Sequence, residues 1–283
     1  MAAIVRVTHP FPVALKVVAC AAFAIIAAHG PPVPSQLTAL LVGVLLVNAG
    51  IGALNDYFDR DLDAISRPTK PLVQGLVQPW QALAMGIATL AAGLAATRLL
   101  SWPARVSAGI YVVAGIAYDV GLKRTRWSWA PFVVAFPLLP IWSWTAVRKW
   151  DRRLRWVYPV GAPLVLGIHL ANTLPDLAAD RRGGVQGLAH RLGPTWTRVV
   201  CWGGYLVAQV LVLARSQSAG TSTKAGRTGA LSSAALLICA VLIDRIGSST
   251  GHKAALTWHF RILALAAVPL AVGWLLALAS ERP

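Results

Sequence analysis

Apolar runs long enough to cross a bilayer recur along this chain, each closed by a short polar or turn-forming stretch. Against the roughly 20 residues that a hydrocarbon layer demands, such runs fall near residues 13–29, 35–55, 81–100, 104–120, 128–147, 156–175, 196–214, 229–245 and 257–280. The pattern predicts an all-α polytopic membrane protein with about nine transmembrane helices in one bundle, a single domain over 1–283. Gly30-Pro31-Pro32-Val33-Pro34, Trp102-Pro103 and Gly193-Pro194 supply turn chemistry between runs. Residues 216–229, rich in Ser, Thr and Gly, read as a flexible exposed loop. The first run has the length of a signal peptide's apolar segment, yet the spans that follow and its flanks suit a retained first helix.

The polar stretches are not alike. The whole chain holds only ten Asp and Glu, and seven of them fall in three short places, each where an apolar run ends. Asn55-Asp56-Tyr57-Phe58-Asp59-Arg60-Asp61-Leu62-Asp63 closes the second run, Tyr118-Asp119-Val120-Gly121-Leu122-Lys123-Arg124 the fourth, and Asn172 to Asp180 the sixth. Counting spans, all three emerge on the same side of the membrane whatever the absolute orientation.

Asn55, Asp59 and Asp63 stand at i, i+4, i+8, so on a helix they drift by only about 40° per step and share one face. Asn172, Asp176 and Asp180 repeat the spacing. An amide and two carboxylates on one face suit Mg²⁺, a hard cation that takes oxygen ligands. Pro175 interrupts the second motif and should kink or loosen its turn. By helical geometry Asp56 and Asp61 point away from the Asn55 face; Asp56 either stays apart or still reaches metal or orients a ligand, and Asp61 is expected to pair with a nearby base.

Composition sharpens the choice of solvent. Of 283 residues, 57% are hydrophobic and 13% charged, which makes lipid the default surrounding. The net charge of +16 does not point to nucleic acid, because Lys and Arg sit in short loops between apolar runs and form no continuous patch. They are topological anchors and phosphate ligands. With the amino terminus inside, the positive-inside rule slightly favours a cytoplasmic site. Arg148, Lys149, Arg152, Arg153 and Arg155 run against that assignment. Cys20, Cys201 and Cys239 lie inside apolar runs without metal-ligand spacing and read as packing residues. Most of the 12 Trp sit near span ends, as interfacial anchors do.

Carboxylates beside hydrocarbon are costly and usually functional. Near them in sequence stand Arg67, Lys70, Lys123, Arg124, Arg181 and Arg182. Acid holding metal, with base arranged around it, describes a diphosphate site.

The first acidic run, followed by Arg67-Pro68-Thr69-Lys70-Pro71-Leu72 and Gly75, resembles the first signature of the UbiA superfamily of intramembrane prenyltransferases. Asn172 to Asp180, followed by Gly187-Leu188-Ala189-His190-Arg191-Leu192-Gly193, resembles the second, and Tyr118 with Lys123 resembles the element between them. The resemblance covers nearly the whole chain. It implies a UbiA-like bundle and Mg²⁺-dependent ionisation of an allylic prenyl diphosphate, followed by attack of an acceptor, commonly aromatic, on the carbocation. Carried over, Asn55, Asp59, Asp63, Asp176 and Asp180 hold Mg²⁺ and, with Asn172, the diphosphate. Arg67, Lys70, Lys123 and Arg181 neutralise the leaving group, and Tyr118 either hydrogen-bonds the diphosphate or faces the cation. His9-Pro10 stands where many relatives carry Arg-Pro.

Two other readings compete. A terpene cyclase of the same superfamily would use the diphosphate without an acceptor. A cation-coupled transporter would use the carboxylates as ion ligands, but such sites lie near the bilayer midplane in inverted repeats, whereas both motifs here end helices facing one way. No Asp-Gly-x-x-Ala-Arg motif of phosphatidyl-alcohol transferases is present.

Overall fold

The computed structural model describes residues 2–182, 184–217, 223–250 and 253–280. Among these the regular structure is entirely helical: α1 (Ala2–Val7), α2 (Pro10–Ala28), α3 (Pro34–Ser66), α4 (Pro79–Ala96), α5 (Trp102–Val120), α6 (Ala130–Ala135), α7 (Leu138–Val147), α8 (Val157–Thr173), α9 (Leu177–Arg182), α10 (Leu188–Gln217), α11 (Thr223–Thr250) and α12 (Lys253–Ser280). Eight stretches among the described residues are long and apolar enough to cross a membrane. The ninth expected span is α5, a 19-residue helix made less apolar by Arg105, Ser107 and Asp119. The expected loop at 216–229 is shorter than its composition suggests: α10 runs to Gln217 and α11 starts at Thr223. Residues 218–222 of that expectation lie outside the described residues.

The chain forms two compact units, Met1–Asp151 with Arg182–Val185, and Arg152–Arg181 with Gln186–Pro283. In the first, α3 is central. Its 33 residues extend about 50 Å at 1.5 Å each, well beyond a hydrocarbon layer of about 30 Å. Asn55 comes roughly 30 Å from its start, so the acidic residues begin where the apolar layer runs out. The apolar part of α3 packs through Leu40, Val44, Val47 and Leu54 into a core shared with Leu90, Tyr111, Leu139 and Trp142. Against α4 the helices approach closely because glycines face each other: a Cβ on Gly50 would stand 2.7 Å from the Leu90 side chain, and one on Gly86 as near to Leu54. Small residues serve this purpose where helices pack in lipid.

In the second unit α8 pairs with α10 and α11 with α12. A Cβ on Gly167 would stand 2.7 Å from the Cys201 carbonyl oxygen, so α8 and α10 touch nearly backbone to backbone. Within α10 the chain kinks at Gly193, whose φ of 72° is left-handed and whose successor Pro194 restarts the helix. Arg198 on α10 binds both oxygens of Asp244 on α11 through Nε, at 2.9 and 2.8 Å, and Asp244 is buried. That carboxylate is paired across helices. Trp80, Trp102, Trp127, Trp150 and Trp196 are exposed, as interfacial anchors are.

Candidate active site

The last turns of α3 and α5 in the first unit carry a dense polar cluster. Asp56, Asp59, Asp63 and Asp119 are all buried, at 2, 8, 4 and 3% exposure. Asn55 Nδ2 donates to Asp59 Oδ2 at 3.0 Å and to Asp119 Oδ1 at 2.8 Å, joining the two helices. Lys123, in the tight turn after α5, is ion-paired with Asp59. Lys70 Nζ donates to Asp56 Oδ1 at 2.6 Å and to Asp63 Oδ2 at 2.7 Å. His9 Nε2, from the turn before α2, lies 2.8 Å from Asp56 Oδ1.

The loop after α3 makes the Lys70 contact possible. The Arg67 amide closes α3 by donating to the Asp63 carbonyl, and Gln74 N to Lys70 O and Leu76 N to Pro71 O then curl the chain back. Gly75 takes the left-handed φ of 69° that this turn requires. Leu72 and Val77 bury themselves with Val7, Ala53 and Ala82, and Arg6 donates to the Thr69 carbonyl at 3.0 Å. The Arg67 side chain is exposed.

Asp56 belongs to the cluster, the second of the two outcomes its helical position left open. Asp56 and Asp63 are seven residues apart, nearly two whole turns, so they share a face that Lys70 spans. That spacing was legible beside the i, i+4, i+8 series, which drew attention to Asn55 instead. Asp61 is exposed and pairs with Arg60 at 3.6 Å, as expected. Asp119 and His9 are additions to the predicted site, and only a fold could bring them to it.

Four carboxylates face two ammonium groups here, an excess of two negative charges before any contribution from His9. Among the described residues no three His, Cys, Asp or Glu stand close enough together to hold a metal, because lysine and amide groups already hold the carboxylates. The donor set still fits a hard divalent cation. Its ligands are oxygens, its charge is short of two positives, and Asp119 Oδ2 is buried without a hydrogen-bond partner. Beside the cluster, the Tyr118 ring meets Phe132 edge-on at 4.9 Å and Phe132 stacks on Phe136 at 5.5 Å.

In the second unit the repeat motif is interrupted. The α-helix ends at Thr173, Leu174–Asp176 tightens into a 3₁₀ turn containing Pro175, and α9 restarts at Leu177. The change of twist breaks the continuous face expected for Asn172, Asp176 and Asp180. Asn172 is exposed, whereas Asp176 and Asp180 are partly buried. Leu170, Leu174, Leu177 and Ala189 form the apolar floor of this turn. Asp180 Oδ2 lies 3.9 Å from His190 Nε2, and Arg181 donates to the His190 carbonyl at 3.0 Å. His169, one turn before Asn172, is buried.

Fold and site together define an integral multi-pass helical membrane protein with acidic helix ends. The family model described as "UbiA prenyltransferase family" matches residues 16–263, and the chain belongs to that family. It is 40% identical over 187 residues to a digeranylgeranylglyceryl phosphate synthase of Natronomonas pharaonis, a match covering 65% of this chain and 66%, just under two thirds, of that protein. It is 29% identical over 219 residues to the bacteriochlorophyll synthase 33 kDa chain of Cereibacter sphaeroides, covering 74% and 72% respectively. A solved structure of a UbiA homolog from Archaeoglobus fulgidus bound to GPP and Mg²⁺ is similar in fold, with a TM-score of 0.69, 17% identity, and coverage of 97% of this chain and 99% of that one.

Proposed function

We propose that this protein is a Mg²⁺-dependent prenyltransferase, moving the prenyl group of an isoprenoid diphosphate onto an acceptor, expected to be aromatic, within the membrane. The carrying observation is the cluster of four buried carboxylates and two lysines at the ends of α3 and α5. Burial of so many charges beside an apolar bundle is costly unless they serve a charged ligand. The GPP and Mg²⁺ bound to the Archaeoglobus homolog support the same choice of ligand.

Asn55, Asp59, Asp63, Asp176 and Asp180 would hold Mg²⁺, joined by Asp56 and Asp119. The metal, when bound, supplies polarisation of the diphosphate oxygens. Lys70 and Lys123 would neutralise the diphosphate together with Arg67 and Arg181. Asn172 contributes a neutral donor to the same group. As the prenyl C1–O bond breaks, diphosphate leaves with the bonding pair and the acceptor donates a new pair to C1, later losing a proton. Tyr118 and its aromatic neighbours offer ring faces to the allylic cation. The bilayer receives the hydrocarbon tail, and the site faces the cytoplasm of the cell membrane.

The test is incubation of purified protein with prenyl diphosphates of several lengths, Mg²⁺ and a panel of aromatic and lipid-like acceptors, with products read by mass spectrometry. Prenylated acceptor and free diphosphate in equal amounts are expected. Folded protein that yields neither overturns the assignment, and a cyclic hydrocarbon formed without acceptor replaces it with cyclisation.

A further inference from the structure

Three of the arginines that the positive-inside rule leaves unexplained, Arg152, Arg153 and Arg155, meet in one place in the second unit. Arg152, Arg153, Arg155 and Trp156, just before α8, and Arg215, near the end of α10, line a cleft of about 170 Å³. Asp176 and Asp180 follow the other end of α8, so the cleft lies one membrane crossing away from them.

The side chains are organised. Arg153 donates through Nη1 to the Leu278 carbonyl at 2.8 Å, capping the last turn of α12 and fixing the 152–156 turn to it. Trp156 carries two guanidinium groups, with Arg215 Cζ 5.1 Å and Arg155 Cζ 6.0 Å from its ring centroid. Stacking on an aromatic face fixes the plane of a guanidinium group. Arg152 and Arg155 are exposed at the rim. The cleft is smaller than the roughly 300–1,000 Å³ typical of small-molecule pockets, which suits a single phosphate group.

We propose that this cleft binds a phosphate group, supplied by the headgroup of an anionic phospholipid in the leaflet that bathes this end of α8 and α10. Guanidinium forks match phosphate oxygens two at a time. Trp156 belongs to the interfacial layer where lipid phosphates lie.

Native mass spectrometry of the full chain, delipidated in detergent, tests this by titration with phosphatidylglycerol and phosphatidylcholine. Parallel titrations with inorganic phosphate and pyrophosphate are read by calorimetry. Phosphatidylglycerol is expected to bind at least about 10-fold more tightly than phosphatidylcholine. The preference should disappear in the Arg155→Gln/Arg215→Gln double variant and persist in Arg261→Gln, which removes an exposed Arg stacked on Trp258 outside the cleft. Arg155→Lys/Arg215→Lys, which keeps the charge and safeguards folding, should retain only part of it. Cleft-dependent binding of inorganic phosphate without lipid preference supports the site and assigns it a soluble ligand. Equal binding of both lipids with no cleft-dependent phosphate binding, or a preference unchanged in the double variants, overturns it.

Discussion

Asn55 on α3 reaches Asp119 on α5 with a 2.8 Å hydrogen bond, and the same amide group holds Asp59 at 3.0 Å. A neutral donor between two carboxylates keeps them close without adding charge. Asn55→Asp puts a third negative group there. Hydrogen bonds to charged groups contribute about 1.5–3 kcal/mol, so a lower melting temperature in the absence of Mg²⁺ is expected, with part of it recovered when the metal is added. A thermal melt with and without metal checks this.

Asp59→Asn and Asp176→Asn should each lower prenyl transfer by about 10²–10³-fold, the scale of removing one electrostatic stabiliser of a transition state. Both are isosteric, and Asp59→Asn, which removes the counterion of buried Lys123, should also lower the melting temperature. Product formation alongside a melting curve separates the two effects, and near-normal turnover in either would contradict the assigned roles.

Lys70 joins Asp56 to Asp63 at 2.6 and 2.7 Å. Lys70→Met leaves two buried carboxylates with their shared ammonium gone, which costs about 3–5 kcal/mol when one partner of a buried pair is lost. The variant should melt lower, gain affinity for Mg²⁺ relative to the parent, and show a raised KM for prenyl diphosphate. Lys70→Arg should fall between the two.

Chelation makes a separate test. Transfer should cease in excess EDTA and return with added Mg²⁺, and the Mg²⁺ concentration needed for half-recovery should rise in Asp63→Asn. Recovery curves over a range of metal concentrations give the comparison.

The Arg198–Asp244 pair predicts a purely structural outcome. Asp244→Ala removes the counterion of a half-buried guanidinium and should cost about 1.5–3 kcal/mol, while Arg198→Leu/Asp244→Leu should recover most of it. Turnover per folded molecule should stay at the parent level in both.

Much of this was readable in the chain because lipid simplifies the code: runs of about 20 apolar residues announce helices, and acids are so few that each cluster stands out. The Gly193-Pro194 break, the acidic end of α3 and the family resemblance all follow from local pattern. What escaped was contact between distant segments. His9 meets Asp56 across 47 residues and Asn55 meets Asp119 across 64, and no periodicity encodes either. The break beside Asn172 was legible, because Pro175 cannot continue an α-helix and the backbone tightens there. The pairing of Asp244 with Arg198 joins two helices that sequence adjacency cannot relate.

The length of α3 has a consequence for where the chemistry sits. A single unbroken rod is anchored by its apolar half and holds its reactive half at a fixed height above the bilayer midplane. Membranes of longer acyl chains would draw Asp56 and Asp59 down toward the oil, and shorter ones would lift them into water. Catalysis would therefore be tuned by the thickness of the surrounding lipid, as though α3 were a gauge whose graduations are its carboxylates.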